Sequence, residues 1–93
     1  MVVGMSERTH DSHPAIAKRL KRAAGHLNTV IAMIEAGRPC LDLAQQLHAV
    51  EAAVTAAKKA LIHDHIDHCL QHAVETDSGG AAIDEFKEIT KYL

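Results

Sequence analysis

Residues 40–72 read CLDLAQQLHAVEAAVTAAKKALIHDHIDHCLQH, without a glycine or a proline. Apolar residues recur in this stretch at alternating steps of four and three, the spacing that keeps side chains on one face of an α-helix. They are Leu43, Leu47, Val50, Val54, Ala57 and Leu61. Because the next glycine is Gly79, the pattern predicts one helix of about 35 residues.

A second amphipathic helix is predicted upstream of this stretch. Its apolar positions are Ile16, Leu20, Ala23, Leu27, Val30 or Ile31, and Ile34. Asp11 and Ser12 are capping residues, and Pro14 is tolerated in a first helical turn. Gly37 and Pro39 indicate that one helix stops and the next begins. Since the connection is short, the two helices are predicted to form an antiparallel hairpin.

Downstream, residues 76–80 (TDSGG) have the composition of a loop, and apolar residues spaced from Ala82 to Leu93 predict a short third helix. The aromatic content of 2% favours thin, closely packed helices. The sequence therefore predicts an all-α protein. Residues 1–12 are expected to form a flexible N-terminal arm, and residues 13–93 a single helical domain.

Composition also restricts the location and the partners of the chain. No apolar run approaches the roughly 20 residues of a membrane span, and no signal-peptide pattern is present, which predicts a cytoplasmic protein. In that reducing compartment, two cysteines favour thiols or metal ligands over a disulfide. The net charge is −2, yet residues 1–38 carry six basic against three acidic residues. This asymmetry permits a local basic, nucleic-acid-binding surface.

A metal site is predicted within the long helix. His65 and Cys69 are four residues apart, so their side chains lie on one face about 6 Å from each other and can chelate one ion. Four other histidines are interpreted as structural or solvated, because they lie off this spacing or on other helical stretches: His26, His48, His63 and His68. His72 continues the apolar seam and is interpreted as either a packing residue or a residue with a secondary role at the site.

Cys40 is a third candidate metal ligand, and it lies far from His65 and Cys69 in the sequence. It lies 25 positions before His65, which corresponds to about 37 Å along one helix. The two cannot meet within one chain. If the long helices of two chains align antiparallel, Cys40 of one chain comes beside His65 and Cys69 of the other, and two-fold symmetry creates two such sites. Two thiolates and one imidazole suit Cu(I), or Ni(II), Co(II) or Zn(II) with a fourth ligand such as His10 or His13.

The segments HPAIAKRLKRAAGHL (residues 13–27), AQQLHAV (44–50) and LIHDHIDHCL (61–70), together with Cys40, resemble the CsoR/RcnR family of metal-sensing repressors. Within this family, the sequence most resembles the nickel/cobalt-responsive DmeR-like subgroup. The resemblance implies a three-helix protomer whose hairpin dimerises into a four-helix bundle, and a tetramer formed as a dimer of dimers. It also implies a repressor that binds operator DNA when metal-free and releases it on binding Ni(II) or Co(II), so that a metal-efflux gene is expressed.

The same resemblance assigns roles to individual residues. Cys40, His65 and Cys69 match the family's metal ligands, and Glu85 matches an acid that orients the histidine through its other ring nitrogen. The basic, DNA-contacting face corresponds to Lys18, Arg19, Lys21 and Arg22.

Two departures from the family pattern affect the choice of metal. Pro39 stands where copper sensors commonly have a tyrosine, which favours Ni(II) or Co(II) over Cu(I). Arg8 stands where nickel and cobalt sensors have a histidine, and His10 or His13 is expected to replace it.

Three alternatives stay open: a Cu(I)-responsive repressor, a cytoplasmic metal buffer without a DNA role, and a sensor whose Cys40 reacts with an aldehyde or persulfide. An enzyme is not expected, because no carboxylate stands beside a His-Cys pair in a catalytic motif.

Overall fold

The computed structural model describes residues 12–76 and 79–93. These residues form three helices: α1 (His13–Glu35), α2 (Cys40–Thr76) and α3 (Gly79–Thr90). No strand occurs in the described ranges. The predicted all-α, three-helix protomer is therefore confirmed, and α2 runs for 37 residues without interruption. None of the described helices is long and apolar enough to span a membrane.

The turn between α1 and α2 has the geometry of a Schellman motif. Arg38 N–H donates to the carbonyl of Met33 at 3.1 Å, and Gly37 N–H donates to that of Ile34 at 3.1 Å. Gly37 adopts φ 76°, the left-handed region that this motif requires after a helix. The carbonyl of Pro39 then accepts the N–H of Leu43 at 3.1 Å, which begins α2.

Gly37→Ala should lower the free energy of unfolding by about 1 kcal/mol, because a Cβ is strained in the left-handed region. Gly25→Ala is the matched control. Gly25 lies within α1, and a methyl group there would meet no atom within 4 Å, so it should add about 0.5–1 kcal/mol. Urea unfolding at one fixed protein concentration would measure both. Equal effects of the two substitutions would contradict the role assigned to Gly37.

The chain divides into two compact units, and the first is Pro14–Ala57. It contains α1 and the first half of α2, paired as the predicted antiparallel hairpin. Its buried residues repeat every seven positions, so they form one narrow stripe on each helix. They are Ile16, Ala23 and Val30 on α1, and Val50 and Ala57 on α2. Four of these five residues are alanine or valine, whose short side chains let helices pack closely.

Other apolar residues predicted to pack remain exposed in this unit. We call them the exposed apolar face: Leu20, Leu27, Ile31 and Ile34 on α1, and Leu47 and Val54 on α2. Leu27 is 41% exposed and Val54 is 44% exposed. The apolar seam predicted from sequence is thus divided between a half that closes the hairpin and a half that the single chain does not cover.

Of the described residues, the second unit contains Lys58–Leu93 together with Ser12 and His13. Ile62 is buried, and α3 follows α2 in sequence. The predicted boundaries were wrong here, because α2 extends to Thr76 and α3 already begins at Gly79. Glycine weakens a helix interior but is tolerated at a helix start, where the first N–H groups have no intrahelical partner. Composition alone therefore overestimated the loop.

Candidate metal centre

One group of three possible metal ligands lies close together within the described part of the chain. It consists of His65, Cys69 and Glu85, whose ligand atoms all lie within 4.8 Å of one another. His65 and Cys69 are one turn apart on α2, and Glu85 comes from α3. The group therefore depends on the folding of α3 against the second half of α2.

Glu85 contacts the imidazole of His65 directly. The distance from His65 Nε2 to Glu85 Oε1 is 2.7 Å, which is a hydrogen-bond distance. Because Nε2 faces the carboxylate, Nδ1 is the ring nitrogen that could bind a metal ion. A carboxylate in this position orients the ring and increases its basicity as a ligand.

Cys69 is half-buried beside this pair. Burial raises the pKa of the Cys69 thiol, and the negative charge of Glu85 raises it further. The thiol is therefore protonated at neutral pH. Because a metal ion binds the thiolate, coordination by Cys69 must release a proton.

Cys40 is exposed and is the first residue of α2. Arg38 Nη2 contacts Asp42 Oδ2 at 3.3 Å across this helix start. His13 begins α1 and is half-buried, but it does not belong to the group of three. His10 lies outside the described residues. The assignment of Cys40, His10 and His13 as ligands stays a prediction.

Three of the histidines interpreted as structural or solvated, His48, His63 and His68, lie on exposed parts of α2. His68 Nδ1 lies 2.9 Å from the backbone carbonyl of Asp64. His48 Nδ1 lies 3.9 Å from Glu51 Oε1 on an exposed surface, and His63 is exposed. The side chain of His72 lies outside the described residues.

A hydrogen bond of His26 was missed by the sequence analysis. His26 Nε2 lies 2.7 Å from Gln46 Oε1, so it links α1 to α2 within the hairpin. The two residues stand at similar distances in sequence on either side of Gly37, and this is the signal by which an antiparallel hairpin would have paired them.

The four basic residues predicted to contact DNA all lie on α1, and all are exposed. They are Lys18, Arg19, Lys21 and Arg22. Their exposure leaves them accessible to a large anionic ligand such as DNA.

The donor atoms fit a transition-metal ion. A thiolate and an imidazole are soft and borderline ligands, which suit Cu(I), Ni(II), Co(II) or Zn(II) better than Ca(II) or Mg(II). Glu85 completes the arrangement by contacting the histidine. The protein would supply two ligands from one helix turn, His65 and Cys69, and a bound ion would take its further ligands from elsewhere.

Comparisons with known proteins identify the class to which this fold and site belong. A sequence model of the family described as metal-sensitive transcriptional repressor matches residues 12–92. The chain belongs to this family, the CsoR/RcnR family of metal-sensing repressors. It is therefore a metal-sensing transcriptional repressor and not an enzyme, which confirms both expectations.

The chain is similar to sensors of two different metals. It is 38% identical over 88 residues to the copper-sensing transcriptional repressor CsoR of Mycobacterium ulcerans, covering 95% of this chain and 75% of that protein. It is 33% identical over 91 residues to the copper-sensing repressor CsoR of Bacillus subtilis, covering 94% and 90%. The solved structure of the nickel-responsive transcriptional regulator InrS has a TM-score of 0.81 and 26% identity, covering 90% of this chain and 94% of that one.

Proposed function

We propose that this chain binds operator DNA in its metal-free form and releases it on binding Ni(II) or Co(II), which derepresses a metal-efflux gene in the cytoplasm. The cluster of His65, Cys69 and Glu85 carries the proposal, because it places a chelating pair and an orienting carboxylate within 4.8 Å. A DmeR-like specificity agrees with the nickel-responsive structural neighbour and with Pro39 in the place of a tyrosine.

The proposed assembly is a dimer whose two metal sites each combine residues of both chains. Cys40 stands 25 residues before His65 on α2, so it would reach the site only from a second chain. The exposed apolar face of the hairpin supports dimerisation, because uncovered leucine, isoleucine and valine side chains favour burial against another copy. Two such dimers would form the tetramer, with His10 or His13 as a candidate fourth ligand.

The metal would act as an allosteric effector. It can weaken DNA binding only if it binds the DNA-incompetent form of the protein more tightly. A preference of about a hundredfold corresponds to about 2.7 kcal/mol of coupling. Because DNA binding would depend on lysine and arginine contacts to phosphates, it should also weaken steeply with added salt.

Cu(I) is the second candidate inducer. Relatives at 38% and 33% identity are copper-sensing repressors, and two thiolates with one imidazole form a suitable three-coordinate Cu(I) site. The absorption spectrum of the stoichiometric Ni(II) complex separates the two. Thiolate-to-metal charge-transfer bands of a square-planar site would support nickel. Tight binding of Cu(I) alone would make Cu(I) the first candidate inducer.

The repressor function itself is tested by fluorescence anisotropy. A labelled duplex, selected by the metal-free protein from a random-sequence pool, should bind the protein and be released by stoichiometric Ni(II) or Co(II). A metal buffer would bind the metal with no effect on DNA. A DNA complex that responds only to an aldehyde or persulfide, through Cys40, would favour the thiol-reactive sensor.

Glu85→Gln should weaken metal binding by about 10- to 100-fold, because the amide no longer holds His65 with a charged acceptor. The matched control is Glu88→Gln on the same helix, since Glu88 contacts Lys91 Nζ at 2.7 Å and is exposed. Competition with a chromophoric chelator would measure both affinities. Equal affinities of the two variants would show that Glu85 does not orient the metal-binding histidine.

A further inference from the structure

Two charged residues of α2 lie in line with exposed apolar side chains of the same helix. Glu51 and Lys58 are seven residues apart on α2, so they project from nearly the same side of it. Leu47 and Val54, which are exposed, each stand four residues before one of them. We infer that Glu51 of one chain pairs with Lys58 of a second copy of this chain, at two symmetry-related points, and that these pairs fix the alignment of the two long helices. The inference rests on the proposed function, because it names the residues that would hold the shared metal sites in register.

The proposed metal site would determine which residues of the two helices face each other. When Cys40 lies opposite Cys69 of an antiparallel partner, each step forward along one helix corresponds to a step backward along the other. Glu51 follows Cys40 by eleven residues, and Lys58 precedes Cys69 by eleven residues. Glu51 therefore comes opposite Lys58 of the partner chain, and two-fold symmetry produces the same pair twice.

The signs of the two charges favour the antiparallel direction. In a parallel alignment, Glu51 would face Glu51 and Lys58 would face Lys58, and each like-charged contact would oppose association. In the antiparallel alignment, both contacts are attractive. A slip of one helical turn would move the paired charges about 5.4 Å apart along the helix axis. The pairs therefore select both the direction and the register of the two helices.

Both side chains are accessible to a partner chain. Glu51 Oε1 lies 3.9 Å from His48 Nδ1, and these side chains are 77% and 84% exposed, so this contact contributes little within one chain. Lys58 is exposed, and among the ion pairs between described residues none involves it. No acidic residue stands three or four positions from Lys58 on α2. A second chain can therefore supply the carboxylate that the helix itself does not offer.

A groove beside Glu51 provides space for the partner helix. It has a volume of about 460 Å³. Five residues of α2 line it: Ala44, Leu47, His48, Val50 and Glu51. In the same register, the groove faces residues 58–65 of the partner chain, with Leu61 near the middle. Leu61 is 39% exposed, so it has apolar surface to bury in the groove. Lys58 would then lie at the end of the groove that Glu51 forms.

Opposite charge reversals in two chains test the inference through the composition of the dimers. Glu51→Lys and Lys58→Glu should each weaken the homodimer about tenfold, because each creates two like-charged contacts. In a mixed dimer of the two variants, both contacts are attractive again. After joint refolding without metal, native mass spectrometry should find about nine tenths of the dimers mixed. Isotopically labelled and unlabelled wild-type chains should give about one half.

The matched control uses Lys59→Glu in place of Lys58→Glu. Lys59 is also exposed, and its reversal changes the net charge by the same amount, but it lies one position off the line of Glu51 and Lys58. Mixing Lys59→Glu with Glu51→Lys gains no favourable pair, so about one half of the dimers should be mixed. Equal enrichment in this control would show only a general attraction between chains of different charge, and it would overturn the inference.

The double variant Glu51→Lys/Lys58→Glu exchanges the two charges within one chain. Its dimer should dissociate with a constant within about twofold of the wild-type value, measured by sedimentation equilibrium, because every contact is attractive again. A double variant that dimerises no better than the single variants would contradict the pairing. This measurement decides the matter if a single variant does not fold, as judged by circular dichroism.

The possible outcomes separate the inference from the function on which it rests. A wild-type chain that stays monomeric would overturn the shared metal site and the inference together. Wild-type dimers combined with random mixing of Glu51→Lys and Lys58→Glu chains would overturn only the inference. Selective mixing by a protein that releases no DNA on binding metal would support the ion pairs and overturn the proposed function.

Discussion

His65→Asn should lower the affinity for the inducing metal by more than about a hundredfold, which is more than the loss of an orienting partner costs. The substitution removes an imidazole ligand from the chelating pair and also breaks the 2.7 Å contact with Glu85. The DNA complex of this variant should no longer respond to stoichiometric metal. Its DNA affinity without metal should stay close to that of the wild type, because α1 is unchanged.

The control for this prediction is His63→Asn, the same replacement two residues earlier on the same helix. His63 is exposed and is not part of the three-residue group. Competition with a chelator and anisotropy with labelled DNA would be measured on both variants. A His65→Asn protein that still releases DNA at stoichiometric metal would exclude His65 as a ligand.

Mixing Cys40→Ser chains with His65→Asn chains should restore metal binding that neither variant has alone. In a mixed dimer of the proposed kind, Cys40 of one chain would meet the intact His65 and Cys69 of the other. Random reassortment makes half of the dimers mixed, with one intact site out of two, so about a quarter of the wild-type sites should return. Stoichiometric Ni(II) titration after joint refolding would count them.

The matched control mixes Cys69→Ser chains with His65→Asn chains. Both substitutions affect ligands that one chain supplies together, so no combination rebuilds a site and no metal binding should return. Recovery in this control, or no recovery in the first mixture, would contradict a site shared between chains.

Much of the fold follows from the periodicity of the sequence. The four-three repeat from Leu43 to Leu61 predicted a helix of about 35 residues, and α2 has 37. Gly37 and Pro39 predicted the turn. A glycine after a helix favours the left-handed conformation of a Schellman ending, which Gly37 adopts, and the following proline cannot continue the first helix. These features are local, so a single sequence contains the necessary information.

Features that depend on contacts between distant residues were predicted less well. Periodicity places Val50 and Val54 on the same seam, yet Val50 is buried in the hairpin and Val54 is exposed. Which of them packs depends on the rotation of α2 against α1, which the repeat alone does not determine. The bond from His26 to Gln46 was missed for the same reason.

At the candidate metal centre, too, the local features were predicted from the sequence better than the contacts between helices. The spacing of His65 and Cys69 sufficed to predict a chelating pair, because both lie on one helix turn. Glu85 was assigned only through the family resemblance, since its contact with His65 depends on how α3 packs. The ligand that completes the site in the proposed dimer involves a second chain, and its identity stays a prediction.

The unbroken length of α2 would make the metal response of such a sensor depend on the amount of protein in the cell. Cys40 opens the helix, and His65 follows 25 residues later, so the proposed site exists only where two chains have associated. Its apparent affinity for metal would then depend on the concentration of the protein as well as that of the ion. At a low protein concentration, a higher metal concentration would be needed to release the DNA. At a higher protein concentration, less metal would be enough.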